Sequence, residues 1–175
     1  MLFFDQTFPL TFDELLYMCR GNIAEEDLLL LEAVSLEPKT AGPQEVRSTF
    51  ACEVLDRWYS WEGALRNELV HLRASKLGWE AERYRREGEL ETGVLSAAKN
   101  AAAQDSPSAA EELLDRARWN FLDELETGKF FELTNLVVYT LKLKILQRRG
   151  NFTREKGEEK FGEIYAQIKE DIQSA

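Results

Sequence analysis

The chain has 175 residues, 32 acidic against 22 basic side chains, a formal net charge of −10 and 44% apolar content. That size and apolar share suit a folded protein with a real core, as one domain or two small lobes, and exclude a disordered chain. The acidity excludes a nucleic-acid binder, whose phosphates need a basic face, and argues against adsorption to an anionic bilayer.

The opening Met1-Leu2-Phe3-Phe4-Asp5 lacks a basic region and meets an acid at its fifth position, so it does not read as a secretory signal. The first ten residues are irregular and aromatic. A first helix starts at Thr11, where Thr11 and Glu14 have capping-box spacing, and Gly21 ends it. Asn22 and Glu25 repeat that spacing and open a second helix to about Leu36, so residues 1–36 read as an N-terminal segment and helical hairpin. Glu37 to Pro43, with Pro38, Gly42 and Pro43, is a linker. The main helical bundle follows over 44–175, joined to the hairpin either as a second unit or within a single domain.

The spacing predicts a long helix over about Gln44 to Leu77. Val54, Trp58, Trp61, Leu65, Leu69 and Leu72 recur at intervals of four, three, four, four and three, which places them on one stripe. Gly63 inside it costs about 1 kcal/mol relative to alanine and implies a close neighbour. After Gly78, the stretch from Trp79 to Gly93 is crowded with Glu and Arg and reads as a solvated helix. Val94 to Gln104 is an alanine-rich helix. Asp105-Ser106-Pro107 supplies an N-cap and a first-turn proline for a helix running to Gly128. Another helix, about Phe130 to Arg149, is apolar around much of its circumference, hence central, with Gly150 closing it. The last, about Thr153 to Ile172, carries Phe161, Ile164, Tyr165, Ile168 and Ile172 on one face. No period-two runs occur. The fold class is all-α, an antiparallel helical bundle or array.

Leu133 to Leu146 is interrupted by Lys142 and Lys144 and is too short to span a bilayer. The expected location is therefore cytoplasmic, with membrane association only through partners. Cys19 and Cys52 read as reduced thiols.

Chemistry finds little to build on. His71 is the single histidine, no serine or cysteine is marked as its nucleophile, and no Gly-Lys-Ser/Thr phosphate loop occurs. No catalytic residue and no cofactor are expected, nor ATP binding by this chain alone. Glu68-Leu69-Val70-His71 has the Glu-x-x-His spacing of di-iron bundles, but those need it twice, so the expectation is no metal. The candidate partner-binding or polar-network residues are Trp58, Trp61, Glu62, Arg66, Asn67, Glu68 and Arg73. One reading puts the tryptophans in the core with Glu62 and Arg66 as an ordinary i,i+4 pair. The other makes the cluster a buried polar network or an interface anchor. If a network, Arg66 and Asn67 should each be worth about 1–3 kcal/mol in folding.

The segment from Trp58 to Ala74, Trp58-Tyr59-Ser60-Trp61-Glu62-Gly63-Ala64-Leu65-Arg66-Asn67-Glu68-Leu69-Val70-His71-Leu72-Arg73-Ala74, resembles the signature of a bacterial family of uncharacterised proteins encoded among V-type ATPase subunit genes. Phe12-Asp13-Glu14-Leu15-Leu16-Tyr17-Met18-Cys19, Leu113-Leu114-Asp115-Arg116-Ala117-Arg118-Trp119, Phe130-Phe131-Glu132-Leu133, Tyr139-Thr140-Leu141-Lys142-Leu143 and Lys156-Gly157-Glu158-Glu159 are similar to further parts of it. The resemblance implies a non-catalytic subunit or assembly factor of a V-type (A/V-type) ATPase in proton or sodium transport. It suggests a counterpart of that enzyme's helical stalk component, the socket between rotor shaft and membrane ring. The implied partners are other ATPase subunits of the central stalk and membrane ring. The alternative is a general helical adaptor or chaperone with another protein client.

Overall fold

The capping box at Thr11 forms as its spacing predicts. The Glu14 N–H donates to Thr11 Oγ1 at 3.2 Å, and the Thr11 N–H donates to Glu14 Oε2 at 2.6 Å. In the computed structural model this opens α1, Phe12–Cys19. The structure describes residues 2–6, 9–37, 52–85, 88, 91–129, 132–151, 161, 162, 164, 165 and 167–169. The second expected box does not form. The Asn22 side-chain amide instead donates to the Met18 carbonyl at 2.8 Å, satisfying a free end of α1, and α2, Glu25–Ala33, starts from Ala24 without a side-chain cap.

The tryptophan helix, α3, covers Glu53–Leu77. Cys52 is extended, so the helix starts at Glu53 rather than running through from Gln44, and residues 44–51 lie outside the described residues, as do Pro38 to Pro43 of the linker. The stripe faces inward: Val54, Trp58, Trp61 and Leu65 are buried, and Leu69 and Leu72 pack half-buried against the same core. Gly63 has no close neighbour; a Cβ built there would meet nothing within 4 Å. Gly78 ends α3 in the left-handed conformation at φ +69°, as a helix-terminating glycine does.

Between Gly78 and Gly93 the solvated helix is absent. The described residues form only a short 3-10 turn, Ala81–Arg83, with exposed Arg83–Glu80 and Arg85–Glu82 pairs. Such pairs are worth about 0.2–0.5 kcal/mol each, too little to nucleate a helix that has no apolar face to bury. The remaining elements follow their caps. Helix α4 is Val94–Ala102. Helix α5 is Pro107–Glu126, opened by Ser106, whose hydroxyl accepts from the Ala109 N–H at 3.1 Å. Helix α6 is Leu133–Asn151; it runs on through Gly150, which does not take the left-handed conformation. Residues 161, 162, 164, 165 and 167–169 are helical as well, and Phe130, Phe131 and residues 152–160 lie outside the described residues.

The architecture is all-helical among the described residues. Helices α3, α4, α5 and α6 pack successively on one another, and α1 and α2 pack on each other and on α6. One apolar core runs from Leu2 and Phe4 through Leu31 and Trp58 to Leu122 and Leu146. Helix α6 is central as expected: Val137, Val138, Leu141, Leu143 and Ile145 are fully buried. The N-terminal segment is tied onto this bundle by Phe4, whose ring lies 3.7 Å from the Arg149 guanidinium, 4.3 Å from that of Arg116 and edge-on to Trp119. No helix of the described residues is long and apolar enough to cross a membrane.

Candidate functional site

The seven sequence candidates separate by depth. Trp58 and Trp61 belong to the core and stack at 6.3 Å, and Trp61 lies 4.8 Å from the Phe121 ring on α5, nearly parallel to it. Glu62 is completely buried and Asn67 nearly so. Arg66 and Glu68 are half-buried, while Arg73 and His71 are exposed. Helical geometry explains the split, because positions 58, 61, 62 and 65 share the face turned to α5, and 66 and 73 lie at its rim. Among the described residues no group of three or more His, Cys, Asp and Glu could share a metal ion.

Glu62 is the centre of a buried ion network that joins three helices. Its carboxylate accepts from Arg118 Nε at 2.8 Å and from the Arg118 Nη2 group at 3.0 Å, a two-pronged fork. It also accepts from Arg66 Nε at 2.9 Å, one turn along α3. Arg118 uses its remaining fork to donate to Asp115 Oδ1 at 3.1 Å, and Arg148 on α6 donates to the same Asp115 oxygen. Arg66 reaches outward as well, to Glu37 at 3.4 Å. Burial by itself would lower the Arg118 pKa, but the Glu62 and Asp115 carboxylates outweigh it and push the value up. Arg118 is a fixed cation.

A second buried cation, Lys142 on α6, stands at the other side of Trp119. It pairs with Asp123 at 2.7 Å and with Glu126, both on α5, with its ammonium 5.6 Å from the Trp119 ring. The lysine that interrupts the apolar run of α6 is therefore one of its most buried side chains.

The sequence reading found Glu62 and Arg66 and missed Asp115, Arg118 and Arg148. A signal was present. On α5, positions 115, 118, 122 and 125 follow spacings of three, four and three, so two charged residues share a stripe with Leu122 and Leu125.

Beside the network lies a cleft of about 390 Å³, whose lining includes Arg66, Asn67, Arg73, Tyr84, Arg118 and Arg148. A separate surface feature is the helical stretch after α6. Its Phe161, Ile164, Tyr165 and Ile168 are 71%, 50%, 64% and 52% exposed, and Phe161 stacks on Tyr165 at 6.4 Å. Residue Ile172 of the same expected face lies outside the described residues.

Residues 95–172 match a family model described as "Protein of unknown function (DUF2764)". The DUF2764 match thus takes in Asp115, Arg118, Arg148, Lys142 and the exposed apolar stripe, and leaves Glu62 and Arg66 outside it. Comparison with curated proteins and with solved structures found no match.

Proposed function

We propose that the chain is a non-catalytic, helical interaction subunit or assembly factor, and that its partner is a V-type ATPase. The observation that carries the interaction role is the stripe Phe161, Ile164, Tyr165 and Ile168. These side chains recur at three, one and three residues, so they lie on one face of a helical stretch, each at least half exposed. An amphipathic helix with a bare apolar face is the form in which one protein lays a helix into the groove of another. Isolated exposed apolar residues are ordinary, whereas an aligned set marks an interaction surface.

The ATPase as partner rests on the resemblance of the Trp58–Ala74 segment to proteins encoded among V-type ATPase subunit genes. A socket role between central stalk and membrane ring fits a helical protein that meets its partners through helix faces. The buried carboxylates support the non-catalytic reading, because Glu62 and Asp115 are each taken up by arginines that hold helices together.

The test is purification of the full chain, tagged, from its native host, alongside a Phe161→Ser/Tyr165→Ser variant. ATPase subunits should accompany the natural chain and be lost from the variant, whose far-ultraviolet circular dichroism stays helical. Retention of a different client, a chaperone substrate for example, would favour the general adaptor, and equal retention by both proteins would remove the stripe from the interface.

A further inference from the structure

The arginines around the 390 Å³ cleft have more donors than the protein supplies acceptors. A guanidinium carries five N–H groups in a rigid fork. Arg118 spends its own on Glu62 and Asp115 and is only 4% exposed, so it forms a fixed wall. Arg148 gives one amino group to Asp115, but its Nε is buried and has no hydrogen-bond partner. Arg73 makes no ion pair or hydrogen bond among the described residues. Arg66 is held by Glu62 inside and by the exposed Glu37 outside, at 3.4 Å.

Four arginines on one cleft are out of keeping with a chain of net charge −10. Clefts of similar volume elsewhere on the molecule carry one or two basic residues each. A buried polar group without a partner costs about 1–3 kcal/mol, so an unpaired Arg148 Nε beside an open cleft calls for an acceptor. The cleft also includes Glu37 and Glu111, which set a limit: the ligand's charge must be concentrated in one group placed among the arginines. An oxyanion accepting from several guanidinium forks meets that requirement, and arginine is the residue suited to it. At the rim, Tyr84 is 55% exposed and lies 5.9 Å from the ring of Trp79, itself 59% exposed. A paired aromatic surface beside an arginine cleft offers a flat organic ring a stacking partner. The volume lies within the range of about 300–1,000 Å³ that takes small molecules.

We propose that this cleft binds a small soluble phosphate monoester carrying a planar ring, with its phosphate held by Arg73, Arg148 and Arg66 and its ring against Tyr84. The buried network then has a second use, since the Asp115 bridge between Arg118 and Arg148 sets the guanidinium that the phosphate meets. This site is independent of the apolar stripe, and its failure would leave the partner reading untouched.

Calorimetric titration of the full chain with adenosine monophosphate, inorganic phosphate and adenosine tests it. Adenosine monophosphate should bind saturably and more tightly than phosphate, and adenosine alone should not bind. Arg73→Ala should weaken binding about tenfold or more, the equivalent of one hydrogen-bonded charge. Arg73 is exposed and unpaired, so the ligand-free melting temperature should not change. Arg148→Lys, which keeps the charge and the Asp115 contact but lacks the Nε–H fork, should weaken binding too. Adenosine monophosphate binding no better than phosphate would overturn the place given to Tyr84. Absence of saturable binding by either, or binding indifferent to Arg73→Ala, would overturn the site.

Discussion

Replacing Arg118 by alanine removes the keystone of the buried network. Glu62 loses both prongs of its fork, at 2.8 and 3.0 Å, and keeps only Arg66, whose side chain is one-third exposed. Asp115 loses one of two arginines. Glu62 is completely buried, so its charge cannot recover water without opening the α3–α5 contact. Breaking one side of a buried pair costs about 3–5 kcal/mol, against a whole-domain stability of about 5–15 kcal/mol. Arg66→Ala should cost about 1 kcal/mol or less, because Glu62 keeps its fork to Arg118 and the lost partner is partly in water. Urea denaturation followed by circular dichroism measures both. Glu62→Gln/Arg118→Met should recover much of the loss, since a desolvated pair replaced on both sides strands no charge. A cost below about 1 kcal/mol for Arg118→Ala, or one no larger than that of Arg66→Ala, would refute the network as the element that fixes α5 on α3.

Lys142 should behave differently, because its partners Asp123 and Glu126 are 48% and 30% exposed and can rehydrate. Lys142→Met should therefore stay within about 1 kcal/mol of the natural chain or exceed it in the same urea assay. Gly63→Ala should raise stability by about 0.5–1 kcal/mol, read as a higher melting temperature, since the helix interior favours alanine and the site has open space. Burial holds the Tyr59 phenol above its ordinary range, outweighing the bond from the Ser35 N–H. The folded state thus keeps a proton that the unfolded state releases near pH about 10, so this stability is complete below that pH and lost as pH rises through the raised value. Tyr59→Phe should flatten the alkaline limb of a stability–pH profile, and an unchanged limb would contradict the assignment.

Much of the fold was legible from local signals. Thr11 with Glu14, Ser106 with Pro107, and Gly78 each mark a helix end through chemistry contained in a few residues. The Val54–Leu72 stripe and the apolar α6 needed only periodicity. The errors fell where a local signal had a competitor. Asn22 looks like an N-cap for α2, yet its amide is within reach of the Met18 carbonyl, which was equally unsatisfied. The Trp79–Gly93 stretch has helix-forming residues but nothing apolar to hold it against the bundle. Within the site, Glu62 and Arg66 were legible as neighbours on one helix. Arg118 stands 56 positions from Glu62, and its role follows from how α5 is laid on α3, which no spacing along the chain encodes. The charged positions 115 and 118 on an otherwise apolar stripe were the available hint. The cleft required three helices to be placed before its arginines could be seen together.

The most direct measurement is the reciprocal purification, in which the V-type ATPase is isolated from the native host through a tagged catalytic subunit. Quantitative mass spectrometry then asks whether this chain is present in the assembled enzyme or in its partial assemblies. The proposed role predicts the chain in one of those fractions, and depletion of it from cells carrying Phe161→Ser/Tyr165→Ser. Recovery of the other stalk subunits with this chain absent from every fraction would contradict it.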